Sequence, residues 1–149
     1  MTAAVFVDSS VWIHHLRGAV TPGTRTLRRL LDALDPDTGE DDPAEILVGD
    51  LVLLEVLRGV SDDRQHDATR SALLAFPQVR VGGTTTALAA VDHYRSLRRR
   101  GVTMRKAVDC LIAAWCIARR VPLLHADRDF APLAEHCGLL IYGRGPGAS

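Results

Sequence analysis

The sequence predicts an α/β fold, a short central parallel sheet with helices on both faces. Three observations predict it. Apolar runs of strand length recur along the chain, at residues 3–7, 46–48, 78–81, 121–125 and 139–142. Between them lie segments with apolar residues at helical spacing, and strands that alternate with helices form parallel, doubly covered sheets. The chain has 149 residues, 47% of them apolar, which suits one domain with a core of its own.

The elements follow in order. Residues 3–7 are apolar up to Asp8, as in a buried strand. Ser9 or Ser10 can cap a helix running to Arg17, with Gly18 as its stop. Leu27, Leu30, Leu31 and Leu34 share one face of a helix over residues 23–34. Residues 35–43 cluster Asp, Pro and Gly and form a loop. The five acids of that loop lack the spacing and closing Glu of a calcium-binding EF-hand. After the strand at 46–48, residues 50–58 read as a helix stopped by Gly59. A helix over 61–75 starts on Ser61, and a strand follows at 78–81. A long amphipathic helix spans 84–100 and ends at Gly101; a strongly apolar one spans 106–120. A strand at 121–125, a short helix at 128–136 and a last strand at 139–142 complete a domain over 1–142. The Gly- and Pro-containing residues 143–149 form a tail, expected to fray.

Composition excludes several classes. No apolar run approaches the roughly 20 residues of a membrane-spanning helix, and the first residues lack a secretory pattern. The expected location is the cytoplasm, with no membrane partner. Cys110, Cys116 and Cys137 have no CxxC spacing and are odd in number, which argues against a disulfide framework or zinc site; Cys110 and Cys116, in an apolar helical stretch, read as small buried hydrophobes. Formal net charge is zero, but it is unevenly spread. Acids dominate from Asp32 to Asp67, whereas residues 95–106 hold six basic side chains and no acid. Such a run is either a solvated face or a rim for phosphates.

Four acids stand out. In open α/β sheets, sites form beyond the carboxyl ends of strands. Asp8 ends the first strand, and Asp127 follows the strand at 121–125; each could equally be a helix cap. Glu55 sits in a helix apolar almost all round, where an ionised acid is costly unless paired, with Arg58 for example, or bound to a cation. Asp109 lies in a similar setting, near a helix start whose dipole also favours an anion. Carboxylates that cluster need cations to ionise together, and hard oxygen donors select magnesium or manganese.

At these residues the chain resembles the PIN-domain family and, within it, the VapC-type toxins of prokaryotic toxin–antitoxin pairs. Val7-Asp8-Ser9-Ser10-Val11-Trp12, Glu55-Val56-Leu57-Arg58-Gly59, Val108-Asp109-Cys110-Leu111-Ile112-Ala113-Ala114 and His125-Ala126-Asp127-Arg128-Asp129-Phe130 resemble its four motifs, in order. The resemblance covers nearly the whole chain. It implies a PIN-like, Rossmann-like three-layer fold that gathers Asp8, Glu55, Asp109 and Asp127 around one or two Mg²⁺ or Mn²⁺ ions. Asp129 matches a position that often supports the metal, and Ser10 would orient a carboxylate or a water there. The implied activity is endoribonuclease cleavage of RNA, tRNA or rRNA among the frequent substrates, by metal-activated water. The implied partners are a cognate antitoxin and a second copy in a homodimer. Arg98, Arg99, Arg100, Arg105 and Lys106 are the candidates for holding flanking phosphates. Few aromatics are available to stack on bases, so recognition would rest on RNA shape. Trp12 and Leu16, four apart on the first helix, form either core packing or an antitoxin contact. The loop at 35–43 receives no role from the resemblance.

Two other readings remain. A haloacid-dehalogenase-like phosphohydrolase also opens on a strand-end Asp, but needs a second Asp where Ser10 stands. A non-catalytic module that only holds RNA or protein would have no need of all four acids.

Overall fold

The computed structural model describes residues 3–143. Four strands, β1 (Ala4–Val7), β2 (Glu45–Gly49), β3 (Gln78–Val79) and β4 (Leu123–Leu124), form one parallel sheet in the order β3-β2-β1-β4. Helices α1 (Ser9–Leu16) and α2 (Pro22–Ala33) link β1 to β2, while α3 (Asp50–Leu57) and α4 (Asp63–Leu74) link β2 to β3. Helices α5 (Thr84–Arg99) and α6 (Ala107–Arg119) carry the chain back across the sheet to β4. Parallel crossovers are right-handed, so reversing the direction of travel moves the helices to the opposite face. Accordingly α1 packs on α2 and α3, and α3 on α4, while α5 packs on α6 and on α7 (Ala131–His136). The expected α/β architecture, with helices on both faces of a parallel sheet, is what the chain adopts.

Several boundaries differ from the sequence reading. The strands at 78–81 and 121–125 shrink to two residues each. Pro122 has no N–H, although its carbonyl still accepts from the Phe6 N–H at 3.0 Å. The last strand reduces to a single parallel bridge between Ile141 and Leu123. Asp8, not Ser9 or Ser10, caps α1, because its carboxylate accepts the Ser10 N–H. Asp62 rather than Ser61 caps α4, accepting the Gln65 N–H at 2.9 Å. Residues 144–149 of the expected tail lie outside the described residues.

The core runs through the sheet. Val5, Phe6, Val7, Val48, Ile112 and Leu123 are all fully buried, and Phe6 meets Trp115 at 5.6 Å between ring centres. Gly49 closes β2 where no larger residue fits. A Cβ there would stand 2.7 Å from Phe6 Cζ and 2.9 Å from Val81 Cγ2. Cys110 and Cys116 are buried, free thiols, as expected of small hydrophobes. Among the described residues, no helix is long and apolar enough to cross a membrane.

Candidate active site

The direction of the chain reverses between β1 and β4, which lie side by side. A crevice opens beyond the carboxyl ends of strands at such a switch point. Asp8 follows β1 there, and Asp127 follows β4 after a three-residue step. Glu55 comes from the second turn of α3, the helix that leaves β2 at Gly49. Asp109 comes from the first turn of α6.

Asp8 is only 3% exposed. Its Oδ2 accepts both the Ser10 N–H, at 3.1 Å, and the Ser10 hydroxyl, at 2.6 Å. The Ser10 oxygen in turn accepts the Ala126 N–H at 3.1 Å. One hydroxyl therefore ties the first motif to the loop that carries Asp127. In that loop the Asp127 N–H donates to His125 Nδ1 at 3.2 Å, and Asp127 Oδ1 accepts the Asp129 N–H at 2.9 Å. A short 3-10 turn, Arg128–Phe130, follows, with His125 packed on the buried Phe130 ring at 4.9 Å.

The acids act on one another. Burial raises the Asp8 carboxyl above its ordinary range against the Ser10 hydrogen bonds. Burial, then repulsion from Asp8, raises Glu55. Asp109 is pushed up to about 7 by burial and by the charges of Asp8, Asp127 and Glu55, against the pull of Lys106. Asp127 goes the other way: burial pushes it up, but the Asp129 N–H and the Lys106 ammonium more than offset that and hold it below the usual range. Oxygens of Asp109, Asp127 and Asp129 lie within 4.8 Å of one another.

These residues fit a divalent cation. Asp109 Oδ2 and Glu55 Oε1 are buried and have no hydrogen-bond partner. Buried, unpartnered carboxylate oxygens beside other carboxylates carry a large desolvation cost, which an ion offsets. All the donors are hard oxygens, as magnesium and manganese prefer. Arg58 lowers the Glu55 carboxyl only from a distance; no ion pair joins the two.

Other sequence candidates separate here. Arg98, Arg99, Arg100 and Arg105 are exposed at the junction of α5 and α6, the end of the molecule where Asp109 begins α6. Arg98 and Arg99 share an open hollow with Tyr94 and Arg95. Lys106 does not extend that row. Its ammonium turns onto the acids, 2.9 Å from Asp127 Oδ2 and 3.9 Å from Asp129 Oδ2. Trp12 is a core residue, 4% exposed and packed at 5.6 Å on Phe76, whereas Leu16 reaches the surface. Ser9 was read from the sequence only as a possible cap, yet it is buried and its hydroxyl pulls the Glu55 carboxyl down. The Ser-Ser pair after Asp8 was the available signal: neighbouring serines at a helix start can serve two different acids.

The sequence profile of the PIN domain matches residues 5–135. The chain is 30% identical over 131 residues to VapC ribonuclease Mb1587 of Mycobacterium bovis, spanning 88% of this chain and 92% of that protein. The fold is similar to that of VapBC2 from Rickettsia felis, solved bound to a promoter DNA fragment, with a TM-score of 0.67, 15% identity, and 93% and 96% of the two chains covered. It is also similar to VapBC-5 of Mycobacterium tuberculosis, a member of the VapBC family of toxin–antitoxin systems, with a TM-score of 0.61, 23% identity, and 93% and 97% covered.

Proposed function

The chain belongs to the PIN-domain family, and from that premise we propose that it is a VapC-type toxin, an endoribonuclease that hydrolyses RNA phosphodiesters with the help of a divalent cation. The observation that carries the reading is the pair of buried, unpartnered oxygens, Asp109 Oδ2 and Glu55 Oε1, beside the Asp109–Asp127–Asp129 cluster. The alternative of a phosphohydrolase that forms an aspartyl-phosphate on Asp8 is disfavoured, because Ser10 fills the place of its second Asp and holds Asp8 Oδ2.

Asp8, Asp109, Asp127 and Asp129 are the residues that would hold Mg²⁺ or Mn²⁺, as one ion or two. When bound, the metal supplies Lewis-acid polarisation of the phosphoryl group and lowers the pKa of water. The chain's own groups do the rest. Ser10 keeps Asp8 in one orientation, so no side-chain freedom is lost when substrate arrives. Glu55, whose carboxyl is raised by burial and by Asp8, takes the proton of the attacking water. Arg98, Arg99, Arg100 and Arg105 hold flanking phosphates and set the RNA in register without reading its bases.

The proposed partners are a cognate antitoxin, for which Leu16 at the surface end of α1 is a contact, and a second copy of the chain. The proposed location is the cytoplasm. The experiment is cleavage of tRNA and rRNA fragments by purified protein, with Mn²⁺, with Mg²⁺ and with EDTA. Discrete cuts that need the added cation support the reading. Cutting that persists undiminished in EDTA, or no cutting of any RNA, contradicts it.

A further inference from the structure

Lys106 is a basic side chain that reaches into the acid cluster, and its position there follows from the fold. Its backbone is the N-cap of α6, three residues before Asp109, so the helix that delivers Asp109 also delivers the lysine. Its side chain is 57% exposed and lies against Asp127 and Asp129, which are 24% and 33% exposed. The cluster is therefore unevenly balanced. The two outer acids share a resident cation, while the inner Asp109 Oδ2 has no hydrogen bond.

The atoms involved are specific. Asp127 Oδ1 is already committed to the Asp129 N–H. Asp127 Oδ2 accepts no backbone N–H and is the less committed oxygen, and it is the one Lys106 holds at 2.9 Å. An ammonium in that position repels any divalent ion drawn to the same oxygen. The lysine stem is flexible and largely in water, so the contact can be exchanged at small cost.

We propose that Lys106 is a tethered counter-cation that competes with the divalent ion for Asp127 and Asp129, and so sets the metal affinity of the site. It is a positioning residue: it holds the outer carboxylates beside Asp109 in the metal-free protein and gives up Asp127 Oδ2 when the ion binds. The released ammonium is then free to meet an RNA phosphate. This inference rests on the metal-dependent reading above.

The test is Mn²⁺ binding to the whole chain, by calorimetry and by electron paramagnetic resonance of free Mn²⁺, together with melting temperature in EDTA and in Mn²⁺. Lys106→Met is expected to bind Mn²⁺ about two- to fivefold more tightly, the scale of a half-exposed ion pair. Its melting temperature should fall in EDTA, widening the gap between loaded and metal-free protein. Lys106→Arg keeps the charge and should stay near the wild type in both. Lys106→Gln, a second neutral variant, must reproduce the tightening even if the Met variant folds poorly. Wild-type or weaker Mn²⁺ affinity in the neutral variants overturns the proposal. Asp109→Asn separates the two levels. If the wild type binds no Mn²⁺, or Asp109→Asn binds it equally well, the metal site itself fails and the Lys106 inference with it. If Asp109→Asn loses binding while Lys106→Met matches the wild type, only the Lys106 inference fails.

Discussion

The Ser10 hydroxyl donates to Asp8 Oδ2 across 2.6 Å, and the Ser10 oxygen itself accepts the Ala126 N–H from the far side of the β1–β4 switch point. Two loops that meet only through the fold are joined by one atom. Ser10→Ala removes both bonds and leaves Asp8, 3% exposed, short of a donor. The expected loss of stability is about 1–3 kcal/mol. RNA cleavage should fall by roughly 10- to 100-fold, as when other supports of metal ligands are removed. Chemical denaturation and cleavage rates check the two effects separately, and Ser10→Thr should recover part of each.

Asp109 makes the metal-free protein sensitive to pH. Its carboxyl is raised from 3.8 to about 7 in the folded chain. The folded state then binds more protons than the unfolded state between those values, so stability falls as pH rises through that window. In EDTA the chain should lose on the order of 1–2 kcal/mol between pH 4.5 and pH 7.5 from this group, less than the full shift implies because neighbouring acids titrate with it. Asp109→Asn should flatten that slope and stabilise the metal-free protein at pH 7.5. Urea melts at several pH values in EDTA measure it, and a wild-type slope kept by the variant would contradict this account of Asp109.

The arginines at the end of α5 are proposed to act on RNA as charges. Arg98→Ala, Arg99→Ala and Arg100→Ala combined should weaken binding of a single-stranded RNA to the cleavage-inactive Asp8→Asn chain. The slope of log affinity against log salt should fall by about 0.7 for each phosphate that is no longer neutralised. The folded state should be unaffected, since all three are exposed. Filter binding from low to high salt reads the slope, and an unchanged slope removes the arginines from the RNA path.

Gly49 is a packing requirement that supports the site. It ends β2 and caps α3, the helix that delivers Glu55. Gly49→Ala forces a methyl group into Phe6 and Val81, at an expected cost of about 1–3 kcal/mol. Phe6 is fully buried and has little room to yield. Gly82→Ala is the control. Its Cβ would meet only Asp50 Oδ2, at 3.9 Å, so its melt should stay near the wild type.

How much of this was legible in the sequence depends on what each feature rests on. The helices were clear because a 3.6-residue apolar period needs only local pattern. The strands were clear in place but not in length or number, since pairing partners decide where a strand ends: residues 78–81 and 121–125 find partners for only two residues each, and 139–142 keeps a single bridge. Glu55 and Asp109 could be picked out because an acid in an apolar helix is conspicuous. Asp62 displaced Ser61 as a cap because several residues at that turn could serve, and only backbone geometry chooses between them. Trp12 read by default as core, with a partner contact as the sharper alternative, and it packs on Phe76, distant in sequence. Lys106 belonged to a basic run by sequence. Its turn toward Asp127, 21 residues away, is a tertiary fact.

The central claim is that Asp8, Glu55, Asp109, Asp127 and Asp129 form one metal-dependent phosphodiester-cleaving centre. It is tested most directly by single-turnover cleavage of one end-labelled RNA in Mn²⁺, comparing the wild type with Asp8→Asn, whose fold is checked by circular dichroism. Asp8→Asn should cleave more than about 100-fold slower, beyond the loss typical of a group that only supports a metal ligand. Equal cleavage by the folded variant and the wild type would contradict the claim.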